Sequence, residues 1–407
     1  MLRTAPPSGW KKTALDHVAE VQTGIAKGKA VNGAAVTLPY LRVANVQDGR
    51  VDLSVIKEIT LKPSEVDRYS LRKGDVLFTE GGDFDKLGRG TVWNGEIEPC
   101  LHQNHVFAVR PNPSRLLPEF LAFQAASQYG RRYFQLSSKQ STNLASINST
   151  QLKQFPVLLP SLSEQRKIAE ILRTWDEAIE KLEALRAANL QRRIWMRTHL
   201  FTGRTRLPGY TGEWREVTLG AVLTEHGLQG TGAEEVFSVS VHKGLINQIE
   251  HLGRSFAAAD TGHYNRVLPG DIVYTKSPTG DFPLGIIKQS KISAEVIVSP
   301  LYGVFTPATR ALGVILDALF ESPIAVRNYL HPLVQKGAKN TIAITNRRFL
   351  EGKLRLPMDH AEQSTIAEVV EVSQAELTAI DAEIEALTRQ KRGLMQKLLT
   401  GEWRVAV

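Results

Sequence analysis

The hydrophobic and polar positions of this chain run through one order twice, short alternating runs followed by one long helical stripe. In the first pass, residues 38–46 stop at Gln47-Asp48-Gly49, and residues 75–79 follow Lys73-Gly74. In the second, residues 236–241 precede Lys243-Gly244, and residues 271–275 follow Pro269-Gly270. Short β-branched runs bounded by glycine turns predict strands. Each pass also holds a helical pattern, at residues 118–128 and 312–329. Both therefore read as α+β domains with irregular sheets.

The long stripes are near copies. Glu164-Gln165-Arg166-Lys167-Ile168-Ala169-Glu170 returns as Glu362-Gln363-Ser364-Thr365-Ile366-Ala367-Glu368, and the stripes stop at Thr202-Gly203 and Thr400-Gly401. The offset is 198 residues at both ends (362 − 164 and 400 − 202), so the two helices match in length without a gap. Ile168, Leu172, Trp175, Ile179 and Leu182, continued by Leu185, Met196 and Leu200, recur at heptad spacing. So do Ile366, Val370, Leu377, Ile380 and Ile384. Such a seam predicts a coiled-coil core. Ser161 and Asp359 stand three residues before Glu164 and Glu362, the spacing of a capping box, and each Gly after Thr suits a left-handed helix stop. The second helix is acidic early (Glu368, Glu371, Glu376, Asp381) and basic late (Arg389, Lys391, Arg392, Lys397). The first is basic late (Arg186, Arg192, Arg193, Arg197), and only an antiparallel pair sets these charges against each other.

The expected fold is α+β, with two similar α/β domains separated by an antiparallel coiled coil of two long helices, related by a pseudo-twofold. The expected divisions are residues 1–158, a helix at 159–203, residues 204–356, and a helix with its tail at 357–407. A helix of ~38 residues spans roughly 57 Å, a length suited to a spacer. The competing arrangement packs each helix on its own domain alone.

Composition adds a partner. Hydrophobic residues make up 42% and charged residues 23%, which describes a globular chain rather than a disordered one. No apolar run reaches the ~18–20 residues of a membrane span, and the first residues carry no apolar signal stretch. The single Cys100 excludes an intrachain disulfide and fits a reducing cytoplasm. A net charge of +8 and a pI near 9.4 favour an anionic partner such as nucleic acid.

Enzyme motifs are incomplete. Gly24-Ile25-Ala26-Lys27-Gly28-Lys29-Ala30 is one residue short of a P-loop and has Ala where the magnesium-binding hydroxyl belongs. Cys100-Leu101-His102-Gln103-Asn104-His105 offers a partial metal set with no evident fourth ligand. Asp83-Phe84-Asp85-Lys86 resembles a nuclease cluster loosely, and its second-half counterpart, Asp281-Phe282-Pro283, lacks the Asp-Lys pair. The chain therefore reads as noncatalytic, with no cofactor or metal of its own. What remains is recognition of a linear anionic target such as double-stranded DNA. Phosphate contacts come from Lys and Arg, and base contacts from Arg, Lys, Asn and Gln. The paired loops supply the candidates: Lys86, Arg89, Lys139, Gln140 and Asn143 in the first domain, and Lys276, Lys336, Lys339 and Asn340 in the second.

In this order and twice over, several segments together resemble the specificity subunits of type I restriction–modification systems. They are Tyr40-Leu41-Arg42-Val43-Ala44-Asn45-Val46-Gln47-Asp48-Gly49, the segments Gly74-Asp75-Val76-Leu77-Phe78-Thr79 and Gly270-Asp271-Ile272-Val273-Tyr274-Thr275, the two Glu-Gln-x-x-Ile-Ala-Glu stretches, and Gln396-Lys397-Leu398-Leu399-Thr400-Gly401. The resemblance implies two target-recognition domains reading a bipartite DNA target, and helices that dock two methyltransferase subunits. S-adenosylmethionine would be bound by those subunits, and ATP with magnesium by a restriction/translocase subunit. One departure is Val236-Phe237-Ser238-Val239-Ser240-Val241 in place of the Arg42–Asn45 form. Two other classes stay open: a coiled-coil adaptor that binds protein without DNA specificity, and an enzyme with a site at Cys100–His105 or Asp83–Lys86.

Overall fold

The computed structural model describes residues 6–28, 33–82, 84, 87–88, 90–140, 145–252, 261–336 and 342–406. They fall into two compact units, residues 1–183 with 383–407, and residues 184–382. In the first unit Ala19–Thr23, Val106–Pro111, Val76–Thr79 and Gly90–Val92 pair in that order as an antiparallel sheet. The second unit repeats it with Leu223–Glu225, Gly303–Pro307, Ile272–Thr275 and Ile286–Gln289.

The central strand of each sheet is buried on both faces, which explains its unbroken apolar run. Val76 and Phe78 face one core with Val109 and Phe120, whereas Leu77 faces another with Val46, Trp93 and Ala108. Ile272 and Tyr274 divide from Val273 in the same way. Successive side chains point to opposite faces of a strand, so a one-residue slip would exchange the two cores. The Gly-Asp that opens each strand also has a local cause. Gly74 and Gly270 turn with φ of 91° and 88°, which only glycine adopts freely. The buried Asp75 carboxylate then accepts from the Arg72 backbone N–H at 2.8 Å and from the Arg110 guanidinium twice at 2.8 Å. Asp271 accepts from the Leu268 backbone N–H at 2.7 Å and from the Thr306 hydroxyl at 2.7 Å, and His226 Nε2 lies 2.9 Å away. These aspartates brace the sheet.

Leu162–His199 and His360–Leu399 are continuous helices. In the first unit Lys391 pairs with Asp176. In the second, Arg186 pairs with Asp381 and Arg192 with Glu376, so numbers rise along one helix as they fall along the other. The helices are packed together antiparallel, and each also packs on domain residues. Ile168, Leu172, Leu398 and Leu399 share a core with Trp10, Phe120 and Leu121, and Met196, Leu200, Ile366 and Val370 share one with Ile315 and Leu319. Of the seam residues, Ile168, Leu172, Ile366, Val370, Leu377 and Ile380 are buried, and Trp175, Ile179, Leu182 and Ile384 are half-buried. Leu185 is 50% exposed, because it lies one residue off the three-four spacing that runs from Ile168 to Leu200. Between Leu182 and Met196 the buried residue on that spacing is Asn189.

The repeated letters at the helix ends converge on one arrangement, built twice. Ser161 caps the first helix at the Glu164 backbone N–H (3.3 Å), and Asp359 caps the Ala361 N–H (2.8 Å). The glutamates do not complete the expected capping box. Buried Glu164 accepts from Trp10 Nε1–H at 3.2 Å and from the Arg404 guanidinium at 2.6 and 3.0 Å. Buried Glu362 accepts from Trp214 Nε1–H at 3.1 Å and from Arg206 twice at 2.6 Å. Gly203 and Gly401, both at φ 68°, end the helices there. A Cβ on Gly203 would lie 2.7 Å from the Trp214 ring, and one on Gly401 would lie 2.5 Å from Pro7. Each unit thus joins a domain tryptophan, the glutamate opening one long helix, and the arginine just past the end of the other.

Candidate nucleic-acid interface

Of the first-domain residues chosen from the sequence, Lys139 and Gln140 lie in a small sheet near the end of the central strand. Lys139–Gln140 pairs with Ala145–Ser146, which pairs with Gly81–Gly82. Gly81–Gly82 and Lys139–Gln140 thereby flank one strand, with the Ile147 backbone N–H donating to Glu80 O at 2.7 Å. Lys139 is exposed there and Gln140 occupies the next strand position. In the second unit Gln335–Lys336 pairs with Ile342–Ala343, and Phe282 and Ile344 share one core, so the corresponding segments are again neighbours. Lys276 is exposed, yet crowding by its surroundings lowers its ammonium pKa, opposed by the Glu225 carboxylate. Lys336 lies on its strand. Lys86, Arg89, Asn143, Lys339 and Asn340 lie outside the described residues.

Residues considered for catalysis have structural surroundings. Cys100 is buried, and burial pushes its thiol up to about 12, leaving it protonated and unreactive. His102 is fully buried with Nδ1 2.6 Å from Val106 O, and burial lowers its pKa. His105 contacts Glu80 instead of joining them. Among the described residues no group of three His, Cys, Asp or Glu side chains is placed to hold a metal ion. Gly24 lies against the His102 and Gln103 carbonyls, where a Cβ would come within 2.1 Å, so that glycine serves a close backbone approach. Asp83, Asp85, Lys86, Lys29 and Ala30 lie outside the described residues. Asn45 is buried, accepting from the Arg42 N–H at 2.9 Å and donating to Asp52 O at 2.8 Å and Val55 O at 3.1 Å; it braces its loop.

Sequence reasoning passed over Glu80 and read His105 only as part of a metal set; Glu80 adjoins the Lys139 edge through Gly81. The signal for Glu80 was its place directly after the Gly-Asp strand, where the other half has Lys276.

Each unit thus carries a four-stranded antiparallel sheet, a small strand pairing near the end of its central strand, and part of each long helix, one arrangement built twice. The type I restriction modification DNA specificity domain matches residues 7–189. The putative type I restriction enzyme MjaX specificity subunit of Methanocaldococcus jannaschii is 24% identical, over 98% of this chain and 95% of its own length. The StySPI specificity subunit of Salmonella potsdam is 31% identical over 180 residues, 42% of this chain and 38% of its own. The crystal structure of the S subunit from M. genitalium shares the fold, with a TM-score of 0.57 at 15% identity, over 98% of this chain and 97% of that one. Over nearly its whole length the chain is similar to specificity subunits of type I restriction–modification systems. Among the described residues no helix is long and apolar enough to cross a membrane.

Proposed function

We propose that residues 1–158 and 204–356 are two target-recognition domains that read the two halves of a bipartite site in double-stranded DNA. The long helices, 159–203 and 357–407, set the spacer and dock methyltransferase subunits, two per chain. Those subunits hold S-adenosylmethionine and modify an adenine, and a restriction/translocase subunit brings ATP chemistry to the same cytoplasmic complex. The observation that carries the reading is the duplicated sheet with a shared Gly-Asp brace and different residues at its loop end. A common scaffold with divergent rims suits half-sites of different sequence. Lys86, Arg89, Lys139, Gln140, Asn143, Lys276, Lys336, Lys339 and Asn340 are the proposed DNA contacts.

Docking is supported by Leu190, Ile194 and Trp195, exposed on the first long helix. Apolar side chains grouped on a helix exposed in the free subunit suit a protein partner.

Two measurements test the reading. Affinity of the assembled complex for duplex DNA should fall steeply with salt, with a log–log slope of about −0.9 per phosphate neutralised. Salt-independent or absent binding would favour the protein adaptor. Inserting one heptad into both helices adds ~10.5 Å of helix, and the half-sites should move apart by about three base pairs. An active variant with the original spacer would contradict the spacing role.

A further inference from the structure

The two domains share a framework and differ sharply at one cross-strand position. Thr79 faces Val106 across the first sheet, so Glu80 and His105 form the next crossing. The Glu80 backbone N–H donates to His105 O at 2.9 Å, and the Glu80 carboxylate meets His105 Nδ1. The two side chains are 32% and 52% exposed. In the second domain the pairing ends at Tyr274 and Gly303, and Lys276 and Leu301 stand two residues beyond it on either side, the positions equivalent to Glu80 and His105. Lys276 is exposed and Leu301 is 72% exposed.

The surroundings behind the two crossings correspond. Thr79 and Thr275 are buried just before them, and Asp75 and Asp271 brace the strand starts. Glu80 is also tied to the Ile147 backbone, and Gly81 pairs with Ser146, so the first crossing adjoins the Lys139 edge. No packing demand selects these side chains, because both pairs reach solvent. Their chemistry is opposite. A carboxylate accepts from the exocyclic amino group of cytosine or adenine. An ammonium donates to guanine O6 and N7, and an exposed leucine fits a thymine methyl.

We propose that the crossings Glu80–His105 and Lys276–Leu301 are homologous base-reading positions, the first selecting an amino-bearing base in one half-site and the second an acceptor- or methyl-bearing base in the other. The assignment rests on the DNA-recognition reading above. It adds Glu80, His105 and Leu301 as specificity determinants.

The test exchanges the pairs in the full chain, co-expressed with its methyltransferase partner, and maps adenine methylation across host DNA. Glu80→Lys with His105→Leu should change the preferred base at one position of one half-site, by about tenfold or more, and leave the other half-site intact. Lys276→Glu with Leu301→His should do the converse. Glu80→Gln and Lys276→Met, which keep side-chain length, give the same reading with methylation relaxed at those positions should a double exchange block assembly. Active variants that keep the original motif at original rates would overturn the assignment. If the unaltered complex gives no split motif, the DNA reading itself has failed. If it gives one and the variants leave it unchanged, only the crossing assignment has failed.

Discussion

Arg206→Ala is expected to destabilise the second unit by about 3 kcal/mol, because it strands a buried carboxylate. Glu362 is fully buried, and after the change its only remaining side-chain donor among the bonds described is the Trp214 indole at 3.1 Å. Removing one partner of a buried pair costs more than the pair contributes, since the survivor keeps its desolvation penalty. Replacing both partners, with Arg206→Met and Glu362→Leu, should recover most of the loss. Urea unfolding of the full chain and hydrogen exchange in Trp214–Thr218 and Lys353–Pro357 would report both. A loss under ~1 kcal/mol in the single variant would contradict the role assigned to the pair.

Phe349→Ala is expected to cost about 3–5 kcal/mol, the range for emptying a large aromatic site in a core. Phe349 is fully buried, stacked on Tyr274 at 4.8 Å and on Phe305 at 4.9 Å, with Tyr329 edge-on at 5.6 Å. Tyr274 and Phe305 come from the two central strands, so the cavity would open behind the strand that Lys276 directly follows. Reading of one half-site should weaken along with stability. Phe349→Leu should cost less, because part of the volume is retained. A chain as stable as the original after Phe349→Ala, by denaturant midpoint, would show that the stack contributes little.

Local signals were legible in the sequence where one short segment decided the outcome. The two-sided strands follow from Val76-Leu77-Phe78 and Ile272-Val273-Tyr274, the helix stops from Thr202-Gly203 and Thr400-Gly401, and the helix direction from opposed charges such as Arg186 and Asp381. Readings failed where distant segments compete for one side chain. Glu164 and Glu362 have capping-box spacing, yet charge-assisted bonds to Arg404 and Arg206, with the indoles of Trp10 and Trp214, outbid the local backbone. No spacing reveals that meeting, although the arginines keep the 198-residue offset (404 − 206). Leu185 read as part of the heptad stripe, but the helix geometry buried polar Asn189 on the seam. A single buried polar side chain at such a position can fix helix register. At the candidate interface Glu80 was passed over and His105 was read only as part of a metal set, because their pairing depends on a cross-strand register.

The central claim is that one chain reads two unlike half-sites in DNA. The most direct measurement is single-molecule methylation mapping of host DNA in cells that co-express this chain with its methyltransferase partner, against cells lacking the chain. The account predicts a split motif of two different half-sites with a fixed unread spacer, methylated on both strands and present only with this chain. A continuous motif, a symmetric one that needs a single domain, or unchanged methylation despite a stable complex would contradict it.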